Sequence, residues 1–179
     1  VCGLPVRQEF FEVGERAPGG VFTVLLTGGS RGARALNEAA RECWPLLNPA
    51  LEELAGSGSA IPRLRWIHQS GADDYPALRA AFAETGLEGE VAPFFNGMAA
   101  RYADADLIVS RSGAGAVAEI AAAGRPSILV PFPFAADDHQ KHNAQAFERA
   151  GAALLIEQSA LTGQVLCEAI VDLMKTPER

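Results

Sequence analysis

The sequence predicts an α/β protein built on one doubly wound, parallel, six-stranded sheet. Three observations carry this expectation: short apolar runs alternate with helix-forming segments, several glycine-containing turns stand where a strand hands over to a helix, and no repeat or low-complexity tract interrupts the pattern. Taken in order, Val21, Val24, Leu25 and Leu26 mark a buried strand over 21–27, and the helix formers from Ala33 to Ala40 open a helix over 32–47. AGSGSAIP at 55–62 reads as a surface loop before a strand at 64–68 and a helix at 72–85. Strands then follow at 90–94, 106–110, 126–131 and 152–156, with helices at 97–103, 113–123, 140–150 and 161–175. Gly124 stops the fourth helix, and Asp137 or Asp138 stands where an N-cap of the fifth belongs. Such crossovers are right-handed, and ligands sit beyond the carboxyl ends of the strands.

Composition narrows the function classes. The 179 residues suffice for one buried domain or one lobe of something larger, and 49% hydrophobic with 21% charged residues is ordinary for a globular protein. A net charge of −7 without a lysine/arginine cluster excludes an electrostatic nucleic-acid surface. Cys2, Cys43 and Cys167 are too few and too widely spaced for a disulfide framework or a zinc knuckle. No run of eighteen apolar residues exists to span a membrane. The opening VCGLPVRQEFFEV reads as the interior of a longer protein rather than as a leader, and the chain is expected to be a fragment.

Chemistry is expected in the loops that follow strands: 28–33, 68–71, 94–98, 110–124 and 131–144. In LLTGGSRGA a strand gives way to Gly28, Gly29 and Ser30 and then to a helix, which aims free backbone N–H groups and the positive end of the helix dipole at one point. That point suits a phosphate; the alternative is a tight turn with a serine cap. The spacing is neither G-x-G-x-x-G nor a Walker loop, which disfavours a dinucleotide-dependent oxidoreductase.

The theme returns at DLIVSRSGAGAVAEIAAAG. Ser112, Gly115, Ala116 and Glu119 share one helical stripe, and Glu119 is the lone carboxylate on an alanine-rich helix. A carboxylate accepting two hydrogen bonds suits the vicinal hydroxyls of a ribose; the alternative is a solvated helix face. Gly113 and Gly115 imply close approach of a ligand or another backbone, and Arg111 supplies charge for a diphosphate or else a surface salt bridge. Phe94, Phe95 and Met98 offer an apolar slot for a base, or simply core. His139, Gln140 and Asn143 suit a polyhydroxylated ligand better than a metal, because no third imidazole or thiolate lies near His139 and His142. His68 reads as a structural histidine at the edge of the same cleft.

Several blocks in fixed order then carry a resemblance: LPVR at 4–7, GGSRGARALNEA at 28–39, WIHQSG at 66–71, and the long stretch from PFFNGM to ERAGAA over 93–153. On these the chain resembles the MurG family, transferases that add N-acetylglucosamine to lipid I in peptidoglycan synthesis. The resemblance implies one Rossmann-like lobe of a two-lobed GT-B enzyme. Residues 1–20 would be hinge or linker and 21–179 the C-terminal UDP-sugar-binding domain. It places Ser30 and the Ser112–Gly113–Ala114 turn at the diphosphate of UDP-N-acetylglucosamine, with Arg111 assisting the leaving group. Glu119 would hold the ribose, Phe94 and Phe95 would border uracil, and Arg7 would pack over the base.

His139 and Gln140 match a pair that contacts the sugar, although His139 departs from the Gln-Gln of some members. Gly115 replaces a larger apolar residue. No metal and no cofactor are implied. The acceptor site, the general base and the membrane-facing patch would lie in an N-terminal lobe outside this chain, at the cytoplasmic face of the bacterial inner membrane; this piece alone is expected to be soluble. Alternatives are another nucleotide-sugar enzyme of the same architecture, such as an epimerase or hydrolase, or a non-catalytic nucleotide-sugar-binding module.

Overall fold

A computed structural model of the chain describes residues 4–16, 19–29, 32–56 and 63–175. Among these residues six strands and six α-helices alternate: β1 Val21–Thr27, α1 Arg34–Gly56, β2 Arg63–Gln69, α2 Tyr75–Ala83, β3 Glu88–Ala92, α3 Met98–Asp104, β4 Leu107–Ser110, α4 Ala114–Ala123, β5 Ser127–Leu129, α5 His139–Arg149, β6 Ala153–Leu155 and α6 Gly163–Lys175. All pairings are parallel, in the order β3-β2-β1-β4-β5-β6. The winding reverses between β1 and β4, which leaves a crevice at the carboxyl ends of those two strands.

Successive strand residues face opposite sides of a sheet, and the burial follows that rule. Val24, Leu26, Trp66, Val109 and Ile128 pack toward α1, α2 and α6. Leu25, Ile67, Ile108 and Leu129 pack toward α3, α4 and α5, where Phe10 is also fully buried. Phe10 meets Tyr102 edge-on at 5.1 Å, which seats the 4–16 segment against α3.

The largest departure from expectation is α1, which runs to Gly56 rather than ending near residue 47, and which contains Pro45 and Pro49. Each proline removes one helical hydrogen bond. Both rings face solvent, however, while the apolar face continues past them through Leu47, Leu51 and Leu54 onto the core. Burial of that face outweighs the local break. The start of the expected 55–62 loop is therefore helix at Ala55 and Gly56, and 57–62 lie outside the described residues. The third strand sits two residues earlier than expected, at Glu88–Ala92, so Phe94 belongs to the loop that follows it. Gly89 lies in that strand at φ 144°, where a Cβ would stand 1.8 Å from the Trp66 carbonyl oxygen. Gly124 ends α4 in the left-handed conformation, as expected. Asp138 does occupy the N-cap position of α5, but at φ 50° and without a side-chain cap.

His68 on β2 is fully buried, and Asn37 of α1 explains why it is tolerated. The Asn37 amide donates to the Ser70 carbonyl at 2.9 Å and to Asp74 at 2.7 Å. Its oxygen therefore faces His68, whose Nε2–H donates to it at 2.9 Å. Nδ1 has no partner among the described residues, and burial pushes the pKa of the ring down to about 3. This bears out the structural role. Because the unfolded ring takes up a proton below its ordinary pKa of 6.5 and the folded ring does not, stability contributed above pH 6.5 is lost as pH falls from 6.5 toward 3. Between pH 8 and pH 5 the loss is about 2 kcal/mol. In urea unfolding at the two pH values, His68→Gln is expected to reduce the pH dependence by about that amount, and an unchanged dependence would refute the assignment.

Candidate functional site

The crevice between β1 and β4 opens into a cavity of about 580 Å³. Thr27, Gly28 and Gly29 line it from the end of β1, and Ser110 and Arg111 from the end of β4. Gly113, Gly115 and Glu119 of the following loop and helix, with Arg7, Phe94, Phe95 and Met98, complete the expected residues that reach it.

α4 enters this space with its N-terminus bare. Its N-cap, Gly113, has no side chain to donate to, and the first helical hydrogen bond is Val117 N–H to the Gly113 carbonyl at 3.0 Å. The first-turn N–H groups of Ala114, Gly115 and Ala116 thus have no helical acceptor, and the first turn holds no acidic residue. With the helix dipole this makes a site for an anion.

Arg111 stands beside that terminus. Its guanidinium donates to the Val130 and Pro131 carbonyls, both at 3.2 Å, and to Gln158 Oε1 at 2.6 Å. The surface salt bridge considered for it from the sequence is not made among the described residues. Arg111 also borders a second cavity of about 600 Å³, shared with Gly28, Ala33, Phe132, Gln140 and Gln158.

Glu119 lies four residues beyond Gly115 on the same helix, its side chain 30% exposed, and lines the first cavity. Burial pushes its carboxyl above the ordinary carboxylate range, an effect opposed by Arg7, whose guanidinium is 3.7 Å away. Arg7 pairs more closely with Glu9, at 2.9 Å, and stands 4.9 Å over the Phe10 ring at the rim of the cavity. Phe94 is exposed at 55%, whereas Phe95 is buried with Arg101 stacked 4.5 Å over its ring.

Expectations for four residues need correction: Ser112, Ala114, His139 and Asn143, none of which lines either cavity. The Ser112 hydroxyl does not face the cleft; it is fully buried and donates to the Gln140 carbonyl at 2.8 Å, while Asn143 donates to the Ser112 carbonyl at 3.0 Å. Ser112 therefore bolts the start of α5 to the β4–α4 loop, and the side chain of Ala114 likewise lines neither cavity. His139 is exposed and turned back so that Nδ1 lies 2.7 Å from the Ala136 carbonyl, outside both cavities. Gln140 does reach the second cavity, its oxygen held by the Phe132 N–H at 3.0 Å. Ser30 lies outside the described residues.

The glycines of the first turn serve the chain's own packing as well as the cavity. A Cβ at Gly28 would lie 2.2 Å from Ala33 N, and one at Gly32, whose φ is 74°, would lie 2.0 Å from the Ser70 carbonyl oxygen.

Gln69 was missed by sequence reasoning. Only 2% exposed at the floor of the cavity, it donates to the Gly29 carbonyl at 3.0 Å and to Thr27 Oγ1 at 3.4 Å, and accepts from the Phe95 N–H at 2.8 Å. One side chain thus joins the loops after β1, β2 and β3. The signals in the sequence were its place at the end of a strand and within the 68–71 segment where chemistry was expected, but neither singled out its side chain. Gln69→Met leaves the buried Phe95 N–H unpaired and removes one of the two hydrogen bonds to the Gly29 carbonyl, which keeps the Gly32 N–H at 3.0 Å; it is expected to cost about 1–3 kcal/mol in urea unfolding, and a loss within about 0.5 kcal/mol would show that the loops hold without it.

The model of the glycosyltransferase family 28 C-terminal domain matches residues 23–179. A UDP-N-acetylglucosamine–N-acetylmuramyl-(pentapeptide) pyrophosphoryl-undecaprenol N-acetylglucosamine transferase of Solibacter usitatus is 53% identical over 97% of this chain and 45% of its own length. A protein of the same name from Syntrophotalea carbinolica is 45% identical over 100% of the chain and 47% of its own. The crystal structure of Acinetobacter baumannii MurG superposes with a TM-score of 0.72 at 37% identity, covering 95% of this chain and 45% of that one. The chain spans about half the length of the curated relatives it matches. With the parallel sheet, its reversal point and the bare α4 terminus already established, the chain belongs to glycosyltransferase family 28 as a C-terminal domain of the MurG type.

Proposed function

We propose that this chain is the donor-binding half of an inverting glycosyltransferase that moves N-acetylglucosamine from UDP-N-acetylglucosamine to the 4-hydroxyl of the N-acetylmuramic acid unit of lipid I. One observation carries the reading. The first turn of α4 at Gly115 and Ala116, an Arg111 whose hydrogen-bond partners among the described residues are neutral oxygens, and the half-buried Glu119 all line one cavity at the reversal point of the sheet. A nucleoside diphosphate matches that order, with phosphates at the helix terminus and Arg111, the ribose diol on Glu119, and the base toward Phe94, Phe95 and Met98. Arg7 closes the rim over the base. Gln140 serves the sugar from the second cavity. The curated relatives' names supply the acceptor and the transferred sugar.

The acceptor hydroxyl attacks the anomeric carbon, its proton passes to a base, and the bond to the diphosphate breaks with inversion. Negative charge then grows on UDP, where Arg111 and the α4 N-terminus stabilise it. The base, the acceptor site and the membrane contact belong to an N-terminal lobe, with 1–20 acting as the hinge and the whole enzyme peripheral to the inner face of the bacterial membrane. No helix among the described residues is long and apolar enough to cross a membrane.

Thermal melts of the chain with UDP-N-acetylglucosamine, UDP, GDP-mannose and NAD test the donor reading. A uridine ligand at about a hundred times its Kd raises Tm by about 5–10 °C, whereas the others do not. Glu119→Ala abolishes the shift. Equal stabilisation by GDP-mannose, or none by any uridine ligand, would count against the reading. The chain by itself is expected to transfer no sugar to a lipid I analogue, and measurable turnover would refute the division of labour between lobes.

A further inference from the structure

Arg111, the Val130–Pro131 carbonyls and Gln158 come from three different parts of the chain, and the sheet brings them together. Ser110 of β4 is in register with Leu129 of β5, and Leu129 with Leu155 of β6. Arg111 and Val130 stand one residue beyond that common rung, and Gln158 follows β6 in a short 3-10 turn, Gln158–Ala160. Among the described residues, the oxygens bound to the guanidinium are all neutral, and the Phe132 ring lies 5.5 Å away.

The nearest acid in sequence to Gln158 is engaged elsewhere. Glu157 lies 2.6 Å from Lys141 Nζ, and no carboxylate among the described residues pairs with Arg111. A carboxylate in place of the Gln158 amide would accept the same hydrogen bond, with nearly the same shape, but it would neutralise the guanidinium and compete with an anionic ligand. A neutral acceptor aims the side chain and leaves its charge unspent.

We propose that Gln158 is a positioning residue for the anion site, its uncharged amide oxygen fixing Arg111 toward the cleft while leaving the full guanidinium charge to a bound diphosphate. This rests on the donor-binding reading of the cleft and adds to it a requirement on a residue outside the glycine-rich loops. Glutamine and glutamate separate shape from charge at this position, so the substitution distinguishes a device that preserves charge from a simple structural hydrogen bond, which glutamate would strengthen.

The test is calorimetric titration of the wild-type chain, Gln158→Glu and Gln158→Met with UDP, uridine and inorganic pyrophosphate at two salt concentrations. Gln158→Glu is expected to lower affinity for UDP and pyrophosphate about tenfold or more and to flatten their salt dependence, with uridine affinity held within about twofold. Gln158→Met is expected to weaken UDP several-fold while keeping the wild-type salt dependence, because it removes the tether and not the charge. It also keeps the test decisive if Gln158→Glu fails to fold.

Wild-type affinity for UDP and pyrophosphate in Gln158→Glu would overturn the inference, as would a parallel loss for uridine or undiminished UDP binding in Gln158→Met. A wild-type chain that binds neither UDP nor pyrophosphate overturns this inference and the donor reading together. Pyrophosphate binding that Gln158→Glu abolishes, with GDP bound by the wild type as well as UDP, sinks the donor reading alone.

Discussion

The pairing of β1 with β4 is the constraint on which the rest of the molecule depends. Because every strand runs parallel and every crossover packs back onto the sheet, the chain must leave β1 toward one face and β4 toward the other. α1 and α4 therefore diverge from adjacent strand ends, and no helix among the described residues fills the space between them. Val24 to Thr27 lie in register with Leu107 to Ser110, which sets the two loops level with each other at the mouth of that space. The cavity, the aim of the α4 terminus and the place of Arg111 all follow from this one pairing.

An open crevice exposes backbone polar groups, and a few buried amides manage that cost. Gln69 joins the ends of β1 and β2 to the β3–α3 loop, while Asn37 joins α1 to His68, Ser70 and Asp74. Both are neutral and almost fully buried, and both use oxygen and nitrogen together. They tie the loops at the floor of the site together without adding charge to it.

Charge enters only where geometry leaves it available. The chain carries a net −7, yet the cavity mouth combines a bare helix terminus with an arginine bound to neutral oxygens. Net charge is a property of the whole solvated surface, and its influence fades beyond a screening length of roughly 10 Å at 0.1 M salt. Local arrangement therefore wins at the site. Arg7 and Arg111 illustrate the difference: Arg7 is paired with Glu9 and Glu119, whereas Arg111 has no acidic partner among the described residues. Glu119, placed a full turn past the helix start, lines the same cavity without standing at the anion position.

The sequence by itself determined whatever depends on residues within a turn or a strand of one another. Apolar runs set the six strands, helical spacing put Glu119 on the stripe of Gly115, and Arg111 followed from its place just after the DLIVS strand. It could not determine contacts made across the sheet. Gln69 reaches Gly29 over 40 residues and Phe95 over 26, and Gln158 reaches Arg111 over 47. No local period marks such partners, because parallel register alone brings them to one edge. The same limit applies to Ser112, which looked like a ligand contact until α5 folded over it and offered the Gln140 carbonyl. It applies to His139, whose ring is drawn to its own turn, and to α1, where burial of Leu47, Leu51 and Leu54 carries the helix past two prolines. Short-range propensity names the elements; only the packed sheet decides which side chains meet at the site, because their partners are distant in the chain and adjacent in space.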